Sequence, residues 1–266
     1  MPDYRVSVLT TVYNGMPWLA EAIDSVLLQR EGNFQYVLVD DGSTDGTSAY
    51  LKSLSDSRID CLFLSHQGRG RALNAGLQQC CAPLVVILDA DDLMSPIRLS
   101  WQLAVMDAHP DLDVLSSECA YHLSDVTQKQ TTDNDFLDIP PVSLIRRARL
   151  FHSGIIMRRS ALQAVNGYDE TRKNLLDADL WIRLAKQGSR LGLMSPRLFY
   201  RRIHAGQHFE RKKRLSYLWA GFQVRWRAVQ LFSQSPLDAF WPCLALLYGL
   251  LPVNLRNYLY SWWFMR

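Results

Sequence analysis

Leu84-Val85-Val86-Ile87-Leu88-Asp89-Ala90-Asp91-Asp92 is an aliphatic run that ends in three carboxylates within four positions. Five consecutive apolar residues after Pro83 predict a strand buried on both faces, as in a parallel sheet. Its carboxyl end is then a concentration of negative charge. Carboxylates this close raise one another's pKa unless a cation sits among them, and all-oxygen donors suit a hard divalent ion such as Mg²⁺ or Mn²⁺. A solvated acidic loop capping a helix would use the same residue types, so the rest of the chain has to choose between the two readings.

The chain has 266 residues, 48% hydrophobic and 21% charged, which suits one large globular domain or one domain with an appendage. Five cysteines without a Cys-x-x-Cys spacing argue against a disulfide framework and against a zinc knuckle, so a reducing compartment is expected. Met1-Pro2-Asp3 leads straight into Val6-Ser7-Val8-Leu9 with no basic and apolar leader, so a cytoplasmic location is expected. The net charge of +3 is unevenly spread, because residues 201–266 hold ten Lys/Arg against two Asp/Glu. Such asymmetry points to an anionic partner for that segment, nucleic acid or membrane.

Working outward, Val6–Thr11, Tyr36–Val39, Ile59–Leu64, Leu84–Leu88 and Val114–Ser117 read as strands. Between them lie helical patterns: Leu19, Ile23, Val26 and Leu27 after Asn14-Gly15-Met16-Pro17, then Thr47–Leu54, Arg71–Gln79 and Pro96–Ala108. Alternating strands and helices predict a mostly parallel α/β sheet flanked by helices. Ligands of such sheets bind beyond the carboxyl ends of the strands, and three polar clusters fall there: Thr11-Val12-Tyr13-Asn14, Asp40-Asp41-Gly42-Ser43-Thr44-Asp45, and the Asp89 cluster. Residues 120–150 read as a mobile loop or a connection between halves. Gly154–Arg158 reads as a further strand, with a short helix from Ser160 and a helix from about Asp177 to Gln187 closed by Gly188. The segment after residue 208 reads as a basic run followed by Trp- and Leu-rich helix.

Nucleotide folds of similar architecture fail on motif. Gly68-Arg69-Gly70-Arg71 lacks the third glycine of the dinucleotide fingerprint, and there is no Gly-x-x-x-x-Gly-Lys. The series that is present resembles glycosyltransferase family 2, the inverting enzymes with the GT-A fold. Val6–Asn14 is similar to that family's opening strand, Val39–Asp45 to its nucleotide elbow, Arg71–Gly76 to the helix before its metal motif, and Leu88–Asp92 to the metal motif. Met157–Ser160 with Asn166–Glu170 resembles the acceptor-side segment, and Asp177–Leu184 the catalytic helix. The likeness covers about residues 5–208, which implies a nucleotide-binding half (1–117), an acceptor and catalytic half (118–208) and a helical tail (209–266).

The resemblance implies an inverting, metal-dependent transferase that moves a sugar from a nucleotide-diphospho-sugar to a glycan or lipid-linked acceptor in cell-surface polysaccharide assembly. It implies that Thr11 and Tyr13 line the base pocket and that Asp41 accepts from a base imide N–H. UDP- or dTDP-sugars suit that carboxylate, and guanine could offer N1–H and N2–H instead. Asp89 and Asp91 belong to the donor site. Asp92, Asp91 and His204 are placed around Mn²⁺ or Mg²⁺, with Asp92 as the direct ligand. Asp177 matches the general base, with a plain N-cap as the ordinary alternative. Asp179 reads as structural. Arg71 and Arg69 read either as phosphate contacts or as a solvated helix face, and His152 either as an acceptor contact or as a strand-edge residue. The family's usual acid before the base is replaced by Leu176.

A rival from another class is a non-catalytic module that binds nucleotide-sugar or polyanion. Carboxylates along the ligand edge argue against a polyphosphate-chain binder, so nucleic acid is not expected as partner. A nucleotidyltransferase would want a Gly-rich, Lys-containing first loop. In the tail, Arg211-Lys212-Lys213-Arg214 precedes five of the eight tryptophans, and the longest uncharged run, Ala239–Leu255, contains Pro242 and Pro252. A spanning helix needs about 20 apolar residues, so the tail is expected to lie in the interface of the plasma membrane's inner face, or else to pack on the domain or on a second copy.

Overall fold

A computed structural model describes residues 3–129, 135–146, 150–204, 214–252 and 255. The chain falls into two compact units, one of residues 1–139 with 149–204 and one of residues 140–148 with 205–266.

The first unit is built on one sheet with the strand order β3-β2-β1-β4-β8-β6-β9-β5 and β7 beside β9. Its strands are β1 (Val6–Val12), β2 (Phe34–Asp40), β3 (Ile59–Phe63), β4 (Leu84–Ile87), β5 (Leu93–Met94), β6 (Val114–Ala120), β7 (Leu137–Asp138), β8 (Ile155–Arg158) and β9 (Leu191–Tyr200). β1, β2, β3 and β4 run parallel, β8 runs against β4 and β6, and β6 and β9 are parallel again. Helices α1 (Leu19–Leu27), α2 (Thr47–Lys52), α3 (Arg69–Gln79), α4 (Arg98–Ala108), α6 (Arg159–Ala164) and α7 (Leu176–Lys186) flank the sheet, and α5 (Ser143–Arg146) belongs to the second unit. The aliphatic strands read from sequence are buried on both faces: every residue of β2 and β4 is buried, as doubly covered parallel strands require. The mostly parallel sheet flanked by helices expected from the sequence is the architecture observed.

The chain passes from β1 to β2 to β3 on one side and then returns to place β4 on the other side of β1, which puts a switch point between β1 and β4. In open α/β sheets ligands bind at such a point, beyond the carboxyl ends. β9, which sequence reading missed, is parallel to β6, so its carboxyl end reaches the same edge and delivers residues 201–204 there. Helix α3 lies close on the sheet because residue 76 has no side chain: a Cβ there would stand 2.3 Å from Leu9 Cδ1 and 2.9 Å from Val39 Cγ2.

The stretch 120–150 is less irregular than expected, since it contains a 3₁₀ turn at Leu123–Asp125, β7 and α5. Residues 130–134 and 147–149 of it lie outside the described residues, so the mobility expected of the whole stretch is not addressed there. In the second unit, α8 (Arg214–Phe232) packs with α9 (Phe240–Leu250). Residues 211–213 of the basic run lie outside the described residues, as do Trp262 and Trp263.

Candidate active site

Two loops at the carboxyl ends of β1 and β2 are joined by reciprocal hydrogen bonds. The Asn14 N–H donates to Ser43 Oγ (2.8 Å), the Thr44 N–H to Asn14 Oδ1 (2.7 Å), the Gly15 N–H to Thr47 Oγ1 (3.0 Å) and the Met16 N–H to Asp45 Oδ2 (3.1 Å). Burial would raise the Asp45 carboxyl, but its bonds from Thr47 and Met16 outweigh that and lower it. Asn14 sits at φ 55°, the left-handed region that asparagine tolerates better than most residues. Asp41 is 3% exposed. Its Oδ1 accepts from the Gln67 N–H and its Oδ2 from the Gly68 N–H, both at 2.9 Å. His66 Nδ1 lies 3.0 Å from both the Asp41 backbone oxygen and Oδ2, and since each carboxylate oxygen has two lone pairs, Oδ1 keeps one beyond the Gln67 N–H for a ligand donor. Tyr13, half exposed, stacks on His66 with ring centroids 4.0 Å apart, and Thr11 lies beside Val39 on the ladder.

The acidic cluster divides into two environments. Asp89 receives Arg69 Nη2 at 2.5 Å and lies 3.2 Å from His152 Nδ1, and its own N–H donates to Ser153 Oγ (3.1 Å). His152 Nε2 is 2.8 Å from the Tyr168 hydroxyl. Burial would raise Asp89, but the Arg69 charge and the His152 and Ser153 contacts hold it well below the ordinary carboxylate range. Burial pushes the Tyr168 phenol far above its usual value, so it stays neutral. Asp92 is 3% exposed. Burial, and then the charges of Asp89 and Asp91, push it up to about 8 against the Ser153 and Arg202 hydrogen bonds. Its Oδ1 accepts from the Arg202 N–H (3.1 Å), while Asp91 Oδ2 is 3.1 Å from His204 Nε2. Trp18 packs against both newcomers, with the Arg202 guanidinium 4.3 Å over its ring and the His204 ring at 5.4 Å.

Asp177 is the second residue of α7 and is half-buried. A Cβ on Gly70 would stand 3.4 Å from Leu176 Cδ2, so the first turn of α7 lies against the start of α3, whose Arg69 reaches Asp89. The turn before α7 is strained: Leu175 sits at φ 58°, costly for a residue with a Cβ, and such outliers gather at functional sites. Asp179 faces elsewhere and is tied to Arg183 (2.7 Å) and Arg172 (3.1 Å), the structural part expected of it. Arg71 pairs with Glu170 at 3.4 Å and reaches Gln67 Oε1 at 3.2 Å. Arg69, two residues earlier, is the arginine set among the carboxylates.

Beneath the site lies Arg98, fully buried. It donates to the backbone oxygens of Ser153 (2.5 Å), Ile155 (3.0 Å) and Ile87 (3.2 Å) and to Gln102 Oε1 (3.0 Å). Burial pulls the guanidinium below its usual value and the Asp92 charge opposes that. With four of its hydrogens on oxygens it remains a cation. Sequence reading missed Arg98, Ser153 and Tyr168 as contributors. The one signal for Arg98 was its place beside the apolar stripe of α4, where a charge is out of pattern.

Among the described residues no three His, Cys, Asp or Glu side chains form a metal cage. The donor chemistry of Asp92, Asp91 and His204 nevertheless suits a hard divalent ion.

A family model described as "Glycosyl transferase family 2" matches residues 7–165. An uncharacterized glycosyltransferase of Rickettsia prowazekii is 30% identical over 230 residues, 82% of this chain and 71% of that protein. The putative glycosyltransferase EpsE of Bacillus subtilis is 30% identical over 194 residues, 70% and 68% of the two chains. Among solved structures, S. aureus TarS in complex with UDP-GlcNAc superposes with a TM-score of 0.69 at 18% identity, covering 92% of this chain and 71% of that one. The mannosyltransferase PcManGT from Pyrobaculum calidifontis, in complex with GDP-Man and Mn²⁺, gives 0.61 at 18% identity over 98% and 81%.

Proposed function

The chain belongs to glycosyltransferase family 2, and from that premise we propose that it moves a sugar, with inversion, from a uridine or thymidine diphosphate sugar to a hydroxyl of a glycan or lipid-linked acceptor at the inner face of a plasma membrane, in cell-surface polysaccharide assembly. The observation that carries this reading is the packing of the first turn of α7, which holds Asp177, against the start of α3, where a Cβ on Gly70 would stand 3.4 Å from Leu176 Cδ2 and where Arg69 reaches Asp89, although the base and the cluster come from distant parts of the chain.

In this reading the base stacks on Tyr13 beside Thr11, and its imide N–H donates to the lone pair that Asp41 Oδ1 keeps free. Asp91 takes the ribose, while Arg71 and Arg69 line the diphosphate side. Asp89, held ionised by Arg69 and His152, keeps Arg69 aimed across the cluster. Asp92, Asp91 and His204 would hold Mn²⁺ or Mg²⁺, which when bound neutralises the charge that develops on the diphosphate as it leaves. Asp177 accepts the proton of the acceptor hydroxyl as that oxygen attacks the sugar from the face opposite the diphosphate, and inversion follows. The non-catalytic alternative has no use for a half-buried carboxylate beside an acidic cluster at the first turn of α7.

A thermal-shift screen of UDP, dTDP, GDP and ADP, each with and without Mn²⁺, tests the reading, because a ligand that binds only the folded state raises its melting temperature by mass action. UDP or dTDP with Mn²⁺ is expected to give the largest shift. If no nucleoside diphosphate shifts the transition, the reading fails.

A further inference from the structure

The second unit carries apolar surface that its own packing does not cover. On α8, Leu215, Trp219, Phe222 and Trp226 recur at i, i+4, i+7 and i+11, which places them on one helix face. Leu215 is 70% exposed, Trp219 54% and Trp226 38%. The three rings stack in series, with centroids 5.2 Å and 5.7 Å apart. The opposite face of α8, with Val224 and Ala228, is the buried one. Helix α9 repeats the arrangement: Phe240, Leu244 and Leu247 lie at i, i+4 and i+7 and are 61%, 40% and 61% exposed, while Pro242 and Gly249 face inward. Gly249 lets the helices meet, since a Cβ there would stand 2.2 Å from Leu218 Cδ2.

Each helix is therefore apolar on two sides, and only one side of each is used within the unit. No helix of the described residues is long and apolar enough to cross a membrane. Tryptophan carries an N–H on a large apolar ring and is favoured where a wet layer meets a dry one. The charge of the segment chooses between the candidate occupants. Residues 205–266 carry eight Lys/Arg against two Asp/Glu, so two copies meeting through this unit would bring like charges together. An anionic bilayer would neutralise them.

We infer that the outer faces of α8 and α9 form a docking surface for an anionic lipid bilayer, with the stacked Trp219, Phe222 and Trp226 rings and the Phe240 and Leu247 side chains entering the headgroup and acyl boundary while the basic residues of the segment meet the headgroups. The surface gives the proposed lipid-side acceptor a physical address, and for that purpose it rests on the sugar-transfer reading. Its binding physics does not depend on that reading.

The test is flotation of the full chain with vesicles of phosphatidylglycerol and phosphatidylcholine, against phosphatidylcholine alone. The protein is expected to float with the anionic vesicles at low salt and to be released at about 1 M salt, where charges are screened within about 3 Å. The double variants Trp219→Ser/Trp226→Ser and Phe240→Ser/Leu247→Ser should each lower the bound fraction about tenfold, since removal of large apolar anchors weakens interfacial binding in proportion to the area lost. Their melting temperatures and UDP/Mn²⁺ shifts should match the parent's, because the replaced side chains are exposed. A blue shift of tryptophan emission on adding anionic vesicles, absent from Trp219→Ser/Trp226→Ser, reports insertion independently of flotation. No flotation of the parent overturns the inference, as does undiminished flotation of both variants. A parent that elutes as a dimer, with monomeric variants and no flotation, makes the face a self-association surface instead. Flotation that persists when no nucleotide shifts the melting point upholds this inference and sinks the sugar-transfer reading alone.

Discussion

Replacing Arg98 by Met should destabilise the protein and loosen the donor site together. The guanidinium is fully buried and supplies the partners of three backbone oxygens, at Ile87, Ser153 and Ile155. Methionine fills similar space and offers no donor. A buried acceptor left without a partner costs about 1–3 kcal/mol, so three of them cost roughly 3–9 kcal/mol. Removing a buried cation returns part of this, because its own desolvation no longer opposes folding. A net loss of about 2–5 kcal/mol remains, which in a chain of this size lowers the melting temperature by roughly 5–15 °C. Arg98→Lys keeps the charge but reaches fewer of the oxygens, and should fall between parent and Met. The same atoms fix the carboxyl end of β4 and the turn holding His152 and Ser153, and the cation lies in the field of Asp92. Mn²⁺-dependent nucleotide affinity should therefore fall as well, by more than a general loosening explains: Arg98→Lys should keep more metal affinity than its stability alone would suggest. Urea unfolding gives the first quantity, and isothermal titration of UDP with Mn²⁺ the second. An Arg98→Met protein with the parent's midpoint and the parent's nucleotide affinity refutes the reasoning.

Asp177→Asn should bind UDP-sugar as the parent does yet transfer about 10²–10⁴-fold more slowly, and near-parental turnover would move the base role to another carboxylate such as Glu170. Asp92, raised in the folded protein to about 8, contributes stability that is fully present below its unfolded pKa near about 4 and is lost as pH rises through about 8. The metal-free protein should thus lose this contribution progressively between about pH 4 and 8. Because a ligating carboxylate must give up its proton, the Mn²⁺-induced rise in melting temperature should be larger at pH 8.5 than at pH 6, and equal rises would count against Asp92 as ligand. Gly76→Ala forces a methyl to within 2.3 Å of Leu9 Cδ1 and should cost about 1–3 kcal/mol by overpacking, read as a lower urea midpoint; an unchanged midpoint would mean that α3 can lift off the sheet freely.

The parallel half of the fold was legible because burial on both faces leaves a plain mark, the unbroken aliphatic run of β4 and the Val- and Leu-rich sequences of β1 and β2. The acidic strand ends were legible for the same reason, since a carboxylate directly after such a run has to lie where the buried strand leaves the sheet and meets water or a ligand. β9 was not, although it is ten residues long, because its Ser195-Pro196-Arg197 interior breaks the alternation where β6 and β9 slip register. Missing β9 hid why residues 202 and 204 reach Asp92 and Asp91. Arg98 and Tyr168 were hidden for another reason. Each acts through tertiary neighbours: the charge of Arg98 is out of pattern on α4, but nothing local says which carbonyls on other elements it will satisfy. Arg71 and Arg69 were indistinguishable in sequence, because only the start of α3 at residue 69 decides which one faces the cluster.

The reversal of β8 has a consequence for how such a protein can diversify. In a wholly parallel sheet every loop that leads into a strand lies at the edge away from the ligand. Because β8 runs against β4, its entering turn at residues 152–154 arrives at the carboxyl edge instead, beside Asp89. The edge is thus supplied by exits from β1, β2, β3, β4 and β9 and by the entrances to β5 and β8, and the segment upstream of β8 can lengthen, shorten or change composition without shifting the register of any parallel strand. Selection can remodel the Asp89 end of the edge through residues before β8 while leaving the joined loops after β1 and β2 intact.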